Sequence, residues 1–195
     1  KMDNGTPTGL IFDASDPSTM SLLVADTHNS RILRYDLAGH LMRMFGEYGE
    51  APGQMIYPTD IAVDGDGNMY ISEYGLTDRI MFFTRDGKFI RQWGGFGEKE
   101  GKFQRPMALV IDSAGRVIVA DTCNHRLQVF DMDGNLHGVW GGVGLRGSSG
   151  FRRRIAGLRG SSGLCRRGRR RDRNALIAQA QHISQRLELR ERLCL

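Results

Sequence analysis

Little in this sequence could staple, anchor or stiffen a chain. Its three cysteines, Cys123, Cys165 and Cys194, are an odd number without metal-ligand spacing. They exclude a complete disulfide framework and a zinc ribbon, and they do not fix a redox compartment. No apolar run approaches the roughly 18 residues that a membrane-spanning helix needs. No charged segment followed by an apolar one opens the chain, so no leader is visible. The chain begins at Lys1 rather than Met; an incomplete N-terminus is therefore expected, and the localisation is left unknown. Neither a G-x-S-x-G elbow nor a P-loop occurs, so two large enzyme classes lack their signatures.

Charge is present but unevenly spread. Residues 1–144 hold 13 Lys/Arg against 19 Asp/Glu, net −6, while residues 145–195 hold 14 Arg, no Lys and 3 acids, net +11. All nine methionines precede residue 133. Two compositions meet near Gly144, and the division expected is 1–144 and 145–195.

The acidic part repeats itself. VADTHNSRILRYD at 24–36 returns as VADTCNHRLQVFD at 119–131, with a looser copy, ISEYGLTDRIMFFT, at 71–84. The acids Asp26, Glu73 and Asp121 are 47 and 48 residues apart, and Arg31, Arg79 and Arg126 are 48 and 47 apart. Phe45-Gly46, Trp93-Gly94 and Trp140-Gly141 keep the same period, as do Pro58 and Pro106. Several independent landmarks with one step mark an internal repeat.

Each unit reads as β. In the middle copy, DIAVD (60–64) is a short apolar run, DGDGN (64–68) has hairpin-turn chemistry, and MYISE (69–73) is a second strand. RIMFFT (79–84) reads as a third strand, RDGK as a turn and FIRQWG (89–94) as a fourth. The third copy follows suit with ALVID, VIVAD, RLQVFD and LHGVWG, and the first carries four extra residues in its opening turn. Four short antiparallel strands per unit, repeated in tandem, predict an all-β propeller arc of about three blades, near 9–58, 59–106 and 107–144. GEYGEAPGQMIYP (46–58) and GGFGEKEGKFQRP (94–106) would be the crossings between blades.

These residues resemble the NHL repeat, whose pattern VDxxGxxxVADTxNxRIxxFDxxGxxxxxWGxxGxxxGxFxxP runs through residues 9–144. The third copy is nearest, with Asn124-His125; the first has Asn29-Ser30, and the middle one departs most, with Leu76-Thr77-Asp78. The resemblance implies a six-bladed ring, of which three blades are half. Blades outside this sequence are favoured over closure by self-association, and a stable compact dimer would defeat that reading.

A pair that recurs in every blade builds blades, because a catalytic constellation needs distinct groups converging once. Asp26/Arg31, Glu73/Arg79 and Asp121/Arg126 are therefore expected to tie their hairpins by charge-assisted hydrogen bonds. His28 and His125 stand in adjacent, not equivalent, positions and form no metal set; no cofactor is expected. His40 and His137 are expected in solvent. DGDGN lacks the Gly and Glu of a calcium loop, having Met69 and Gly75 there, and reads as a turn. GVGLRG (142–147) matches a dinucleotide fingerprint without its βαβ surroundings.

The part left open to function is what varies: THNS, YGLTD and TCNH, together with the crossings. His28, Asn29, Tyr57, Tyr74, Leu76, Arg105, Cys123 and His125 are the candidate binding residues of that face, suited to a protein, peptide or glycan partner. A non-enzymatic scaffold is the favoured function. One alternative, implied by the resemblance, is a metal-dependent lyase or lactonase completed by further blades. Another is RNA binding aided by the basic tail, since dense arginine neutralises phosphates. That tail reads as disordered, partly helical, or a shifted reading frame.

Overall fold

The computed structural model describes residues 6–142. The readings placed on 145–195, and on all of GVGLRG after Gly142, lie outside the described residues. Within them, twelve strands form three four-stranded antiparallel sheets, each in simple up-and-down order. The first blade is β1 (Gly9–Asp13), β2 (Ser21–Asp26), β3 (Arg31–Tyr35) and β4 (Leu41–Phe45). The second is β5 (Tyr57–Val63), β6 (Met69–Tyr74), β7 (Arg79–Phe83) and β8 (Phe89–Gly94). The third is β9 (Pro106–Ile111), β10 (Val117–Asp121), β11 (Arg126–Phe130) and β12 (Leu136–Gly141).

The turns explain why the strands reverse where they do. Asp64 Oδ1 accepts the N–H groups of Asp66 and Asn68 at 3.0 and 2.9 Å, and Asp131 Oδ1 accepts those of Asp133 and Asn135 at 2.9 and 2.8 Å. Asp36 and Asp112 do the same in their hairpins. A short carboxylate that takes over two main-chain donors holds a tight turn without a partner strand. The DGDGN stretch is thus a hairpin turn. The four extra residues of the first copy form a short 3-10 turn, Pro17–Thr19, capped by Asp16.

The blades are stacked through two apolar seams. Leu23, Ala25 and Ile32 of the first blade meet Ile61, Met69, Ile71, Met81 and Phe83 of the second, with Met55 from the crossing between them. Ala62, Tyr70 and Ile80 of the second blade meet Leu109, Val117, Val119 and Phe130 of the third, with Phe103 in the place of Met55. Both faces of the middle sheet are therefore buried. This is why β6 and β7 read as nearly continuous apolar runs rather than clean alternation. A bulge falls at the same point of the outer strand pair in each blade, between Arg34 and Tyr35, Phe82 and Phe83, and Val129 and Phe130.

The inner strands β5 and β9 begin earlier than their apolar runs suggest, at Tyr57 and Pro106. The crossing arrives already extended: Thr59 Oγ1 donates to Pro106 O at 2.9 Å, tying one inner strand to the next. Gly94 shows what the crossing demands. Its φ is +108°, and an added Cβ would stand 2.6 Å from the Phe103 ring. A side chain there would meet both backbone strain and a ring it cannot displace.

Candidate functional site

The loops between second and third strands share one end of the arc with the crossings. Thr27–Asn29 and Thr122–Asn124 are single 3-10 turns. The residue after the loop is left-handed in all three blades: Ser30, Asp78 and His125 have φ of 55, 42 and 54°. His125 is thus the counterpart of Ser30, which confirms that the two loop histidines are not equivalent. Ser30 Oγ donates to Ile56 O at 2.7 Å, while Cys123 N donates to Gln104 O at 3.0 Å and Thr122 N to Arg105 O at 3.3 Å. Loop and crossing form one continuous surface.

The recurrent acid–arginine pairs lie at this end, those of the second and third blades below the surface. Glu73–Arg79 and Asp121–Arg126 are both 2.6 Å contacts with nearly no exposure. Glu73 Oε2 also accepts Ile56 N at 2.8 Å, and Arg79 donates to Glu50 O and Gln54 O at 2.8 and 2.9 Å. Asp121 Oδ1 accepts Gln104 N at 2.7 Å, and Arg126 donates to Lys99 O and Lys102 O at 2.8 Å each. The second- and third-blade pairs are each a clamp on the crossing that enters their blade. Asn29 and Asn124 donate their amides to the clamp acids Asp26 and Asp121, so Asn29 serves the hairpin rather than the open surface.

Between these clamps opens a cavity of about 580 Å³, lined by Tyr48, Ile56, Tyr57, Tyr74, Gly75, Leu76, Asp78, Phe96, Gln104, Arg105 and Cys123. Of the eight candidate binding residues, Tyr57, Tyr74, Leu76, Arg105 and Cys123 converge here. His28 borders it, its ring 5.8 Å from that of Tyr57. His125 is half-buried at the neighbouring loop and is not part of the lining. Tyr57 and Tyr74 are stacked, with centroids 5.2 Å apart. Leu76 is 70% exposed on its loop.

Sequence reasoning missed Tyr48 and Phe96, which are 70% and 66% exposed. They are the aromatics between glycines in GEYG and GGFG, 48 residues apart. Each forms a parallel bridge, Tyr48 with Met55 and Phe96 with Phe103. The bridge folds the crossing back on itself, so Met55 and Phe103 go into the seams while Tyr48 and Phe96 are turned out. The signal was their common step; only the bridge shows that they face outward.

Asp78 was also missed. It is 2% exposed, and burial pushes its carboxyl above the ordinary carboxylate range, against the pull of the Arg105 and Gly75 N–H groups and the Arg105 charge. Among the described residues, no group of three or more His, Cys, Asp or Glu side chains is placed to hold a metal ion. His40 pairs with Asp36 and His137 with Asp131, both at the surface.

This geometry defines a β-propeller arc with a loop-face cavity, and comparison with known proteins agrees. Solved structures with the same fold include virginiamycin B lyase from Staphylococcus aureus, at a TM-score of 0.52 and 13% identity over 70% of this chain and 42% of that one. Another is the periplasmic gluconolactonase PpgL from Pseudomonas aeruginosa, at 0.52 and 15% over 71% and 40%. The family model of the NHL repeat matches residues 103–130. NHL repeat-containing protein 3 of Mus musculus is 33% identical over 147 residues, 69% of this chain and 42% of that protein. Protein brain tumor of Drosophila melanogaster is 31% identical over 80 residues, 40% of this chain and 7% of that protein. The matched NHL repeat covers most of the third propeller blade, and the chain spans less than half the length of these relatives.

Proposed function

We propose that the protein is a non-enzymatic binding scaffold that presents its loop-face cavity to a protein or peptide partner. The observation that carries this reading is the division of labour at that face. The recurrent charged groups of the second and third blades are consumed in clamping crossings, while the positions that differ between copies, Tyr48, Tyr57, Tyr74, Leu76, Phe96 and Arg105, line one open cavity. Exposed aromatic rings beside one cation are the composition of binding hot spots. The lyase and lactonase likeness is one of architecture, and architecture does not carry a reaction.

A peptide-display selection against the whole chain tests the reading. Binders that lose affinity about tenfold or more with Leu76→Asp, at unchanged thermal stability, support it. A selection that returns no such binders overturns it.

A further inference from the structure

Of the nine arginines among the described residues, eight have a carboxylate within 4.0 Å: Arg31, Arg34, Arg43, Arg79, Arg85, Arg91, Arg116 and Arg126. Arg105 is the ninth, and it is the one that lines the loop-face cavity. Its guanidinium carbon stands 5.6 Å from the centroid of the Tyr74 ring. Stacking of that kind fixes the plane of the guanidinium and leaves its edge donors for another acceptor.

The backbone of Arg105 is held from two sides. Its φ is +55°, a costly value for a residue with a side chain, and its counterpart 48 residues earlier, Tyr57, is not strained in this way. The conformation is secured from both sides: Asp78 Oδ1 accepts the Arg105 N–H at 3.3 Å, and Arg105 O accepts the Thr122 N–H at 3.3 Å. The second and third blades thus grip the residue together. The strain is thus kept in place by two blades, under a side chain that has no ion pair within 4.0 Å and feels the Asp78 carboxylate only from farther off.

The surroundings limit what it can meet. Among the described residues, Arg105 is the only cation of the lining, and the buried Asp78 carboxyl lies close behind it. A dianion such as a phosphate would find one guanidinium and a nearby acid, whereas a single carboxylate is matched by one planar fork. The remaining lining is aromatic and apolar: Tyr48, Tyr57, Leu76 and Phe96.

We propose that the cavity reads an acidic peptide segment, in which a Glu or Asp carboxylate meets Arg105 while a neighbouring aromatic or large aliphatic side chain lies against Tyr48, Tyr57 and Phe96. The inference rests on the scaffold reading and names its ligand chemistry. It leaves the clamps untouched, because Arg79 and Arg126 are already saturated by their acids and by main-chain carbonyls.

The experiment pairs two end-blocked, dye-labelled peptides, Gly-Gly-Glu-Phe-Gly and Gly-Gly-Gln-Phe-Gly, and follows their binding to the whole chain by fluorescence anisotropy. The expected result is roughly tenfold tighter binding of the Glu peptide, weakening as salt rises. With Arg105→Gln the preference should fall below about twofold, and with Arg105→Lys it should survive in part. Thermal midpoints of both variants accompany the titrations, so that a folding defect is recognised; Arg105→Lys then carries the test alone. Equal binding of the two peptides, or a preference unchanged in Arg105→Gln, overturns the carboxylate inference and leaves the scaffold reading standing. Should neither peptide bind while the display selection yields Leu76-dependent binders without acidic residues, the inference likewise fails alone. A phosphopeptide that outcompetes the Glu peptide would overturn the monoanion assignment.

Discussion

The clamp of the first blade and those of the second and third use the same residue pair to different effect. Arg79 and Arg126 are almost wholly buried, with side chains 4% and 3% exposed, and each donates to two main-chain carbonyls of the incoming crossing. Arg31 keeps the contact to its acid, at 2.7 Å, but its side chain is 28% exposed and its other contact is the Met44 sulfur. The same contrast runs down the sheets. Met69, Ile71, Met81 and Phe83 of the second blade are buried against the first. Their first-blade counterparts Leu22, Val24, Leu33 and Tyr35 are only half-buried, and Leu10 and Phe12 are 65% and 58% exposed. An acid and an arginine five or six residues apart make a partly exposed ion pair by themselves; a crossing laid over them makes a buried, saturated network.

The largest effect is expected from Arg126→Ala. It leaves the Asp121 carboxylate buried without its cation and frees two carbonyls, and should cost about 3–5 kcal/mol in urea unfolding. Arg79→Ala should behave alike. If either costs under about 1 kcal/mol, the clamps are not what holds the crossings. Gly94→Ala comes next, at about 2 kcal/mol, because a Cβ at positive φ must push into the Phe103 ring. Gly39, also at positive φ but with nothing within 4 Å of the added Cβ, is the control and should lose less.

Asp60 offers a pH-dependent test of how the blades are linked. Its Oδ2 accepts Leu109 N at 3.0 Å from the next blade, and burial pushes its carboxyl up to about 6. A carboxyl raised in the folded state favours folding while protonated. Its contribution is therefore complete below about pH 4 and is lost as pH rises through about 6. Asp60→Asn keeps an acceptor for Leu109 and should flatten the pH dependence of the melting temperature over that window, without loss at pH 7. Asp131 has the opposite sign: its turn hydrogen bonds hold it down at about 2, so its contribution is lost as pH falls below about 4.

The smallest effect should come from Arg31→Ala, below about 1 kcal/mol, since its side chain is 28% exposed and holds no main-chain carbonyl of a crossing. Hydrogen exchange sharpens the same comparison. The Ile56 and Gln104 amides, donated to Glu73 and Asp121, should be among the slowest of any outside the strands. Fast exchange at both would remove the distinction between the blades.

Much of this was written in the chain. The turns were readable because an Asp followed by small or polar residues carries its own hydrogen-bonding solution. The strands were readable because burial on one or two faces leaves a pattern at period two or a short apolar run. The clamps were readable as structural because they recur. The cavity was legible only in part: Tyr57, Tyr74, Leu76, Arg105 and Cys123 were singled out from their positions, but Tyr48, Phe96 and Asp78 were not. An aromatic between glycines looks the same whether a bridge turns it inward or outward. Asp78 itself occupies the αL position, which is Ser30 in one copy and His125 in another, so its type announced nothing.

By itself the sequence determined the repeat, the number of strands in each unit, the turns and the partners of the clamps, because these depend on groups a few residues apart or on a period counted along the chain. The tertiary structure decided which copies of the clamp are closed, which aromatics are turned out and which arginine among the described residues has no ion pair within 4.0 Å. Each of those depends on what a neighbouring blade lays over the residue, and that contact comes from residues about a blade away in the chain.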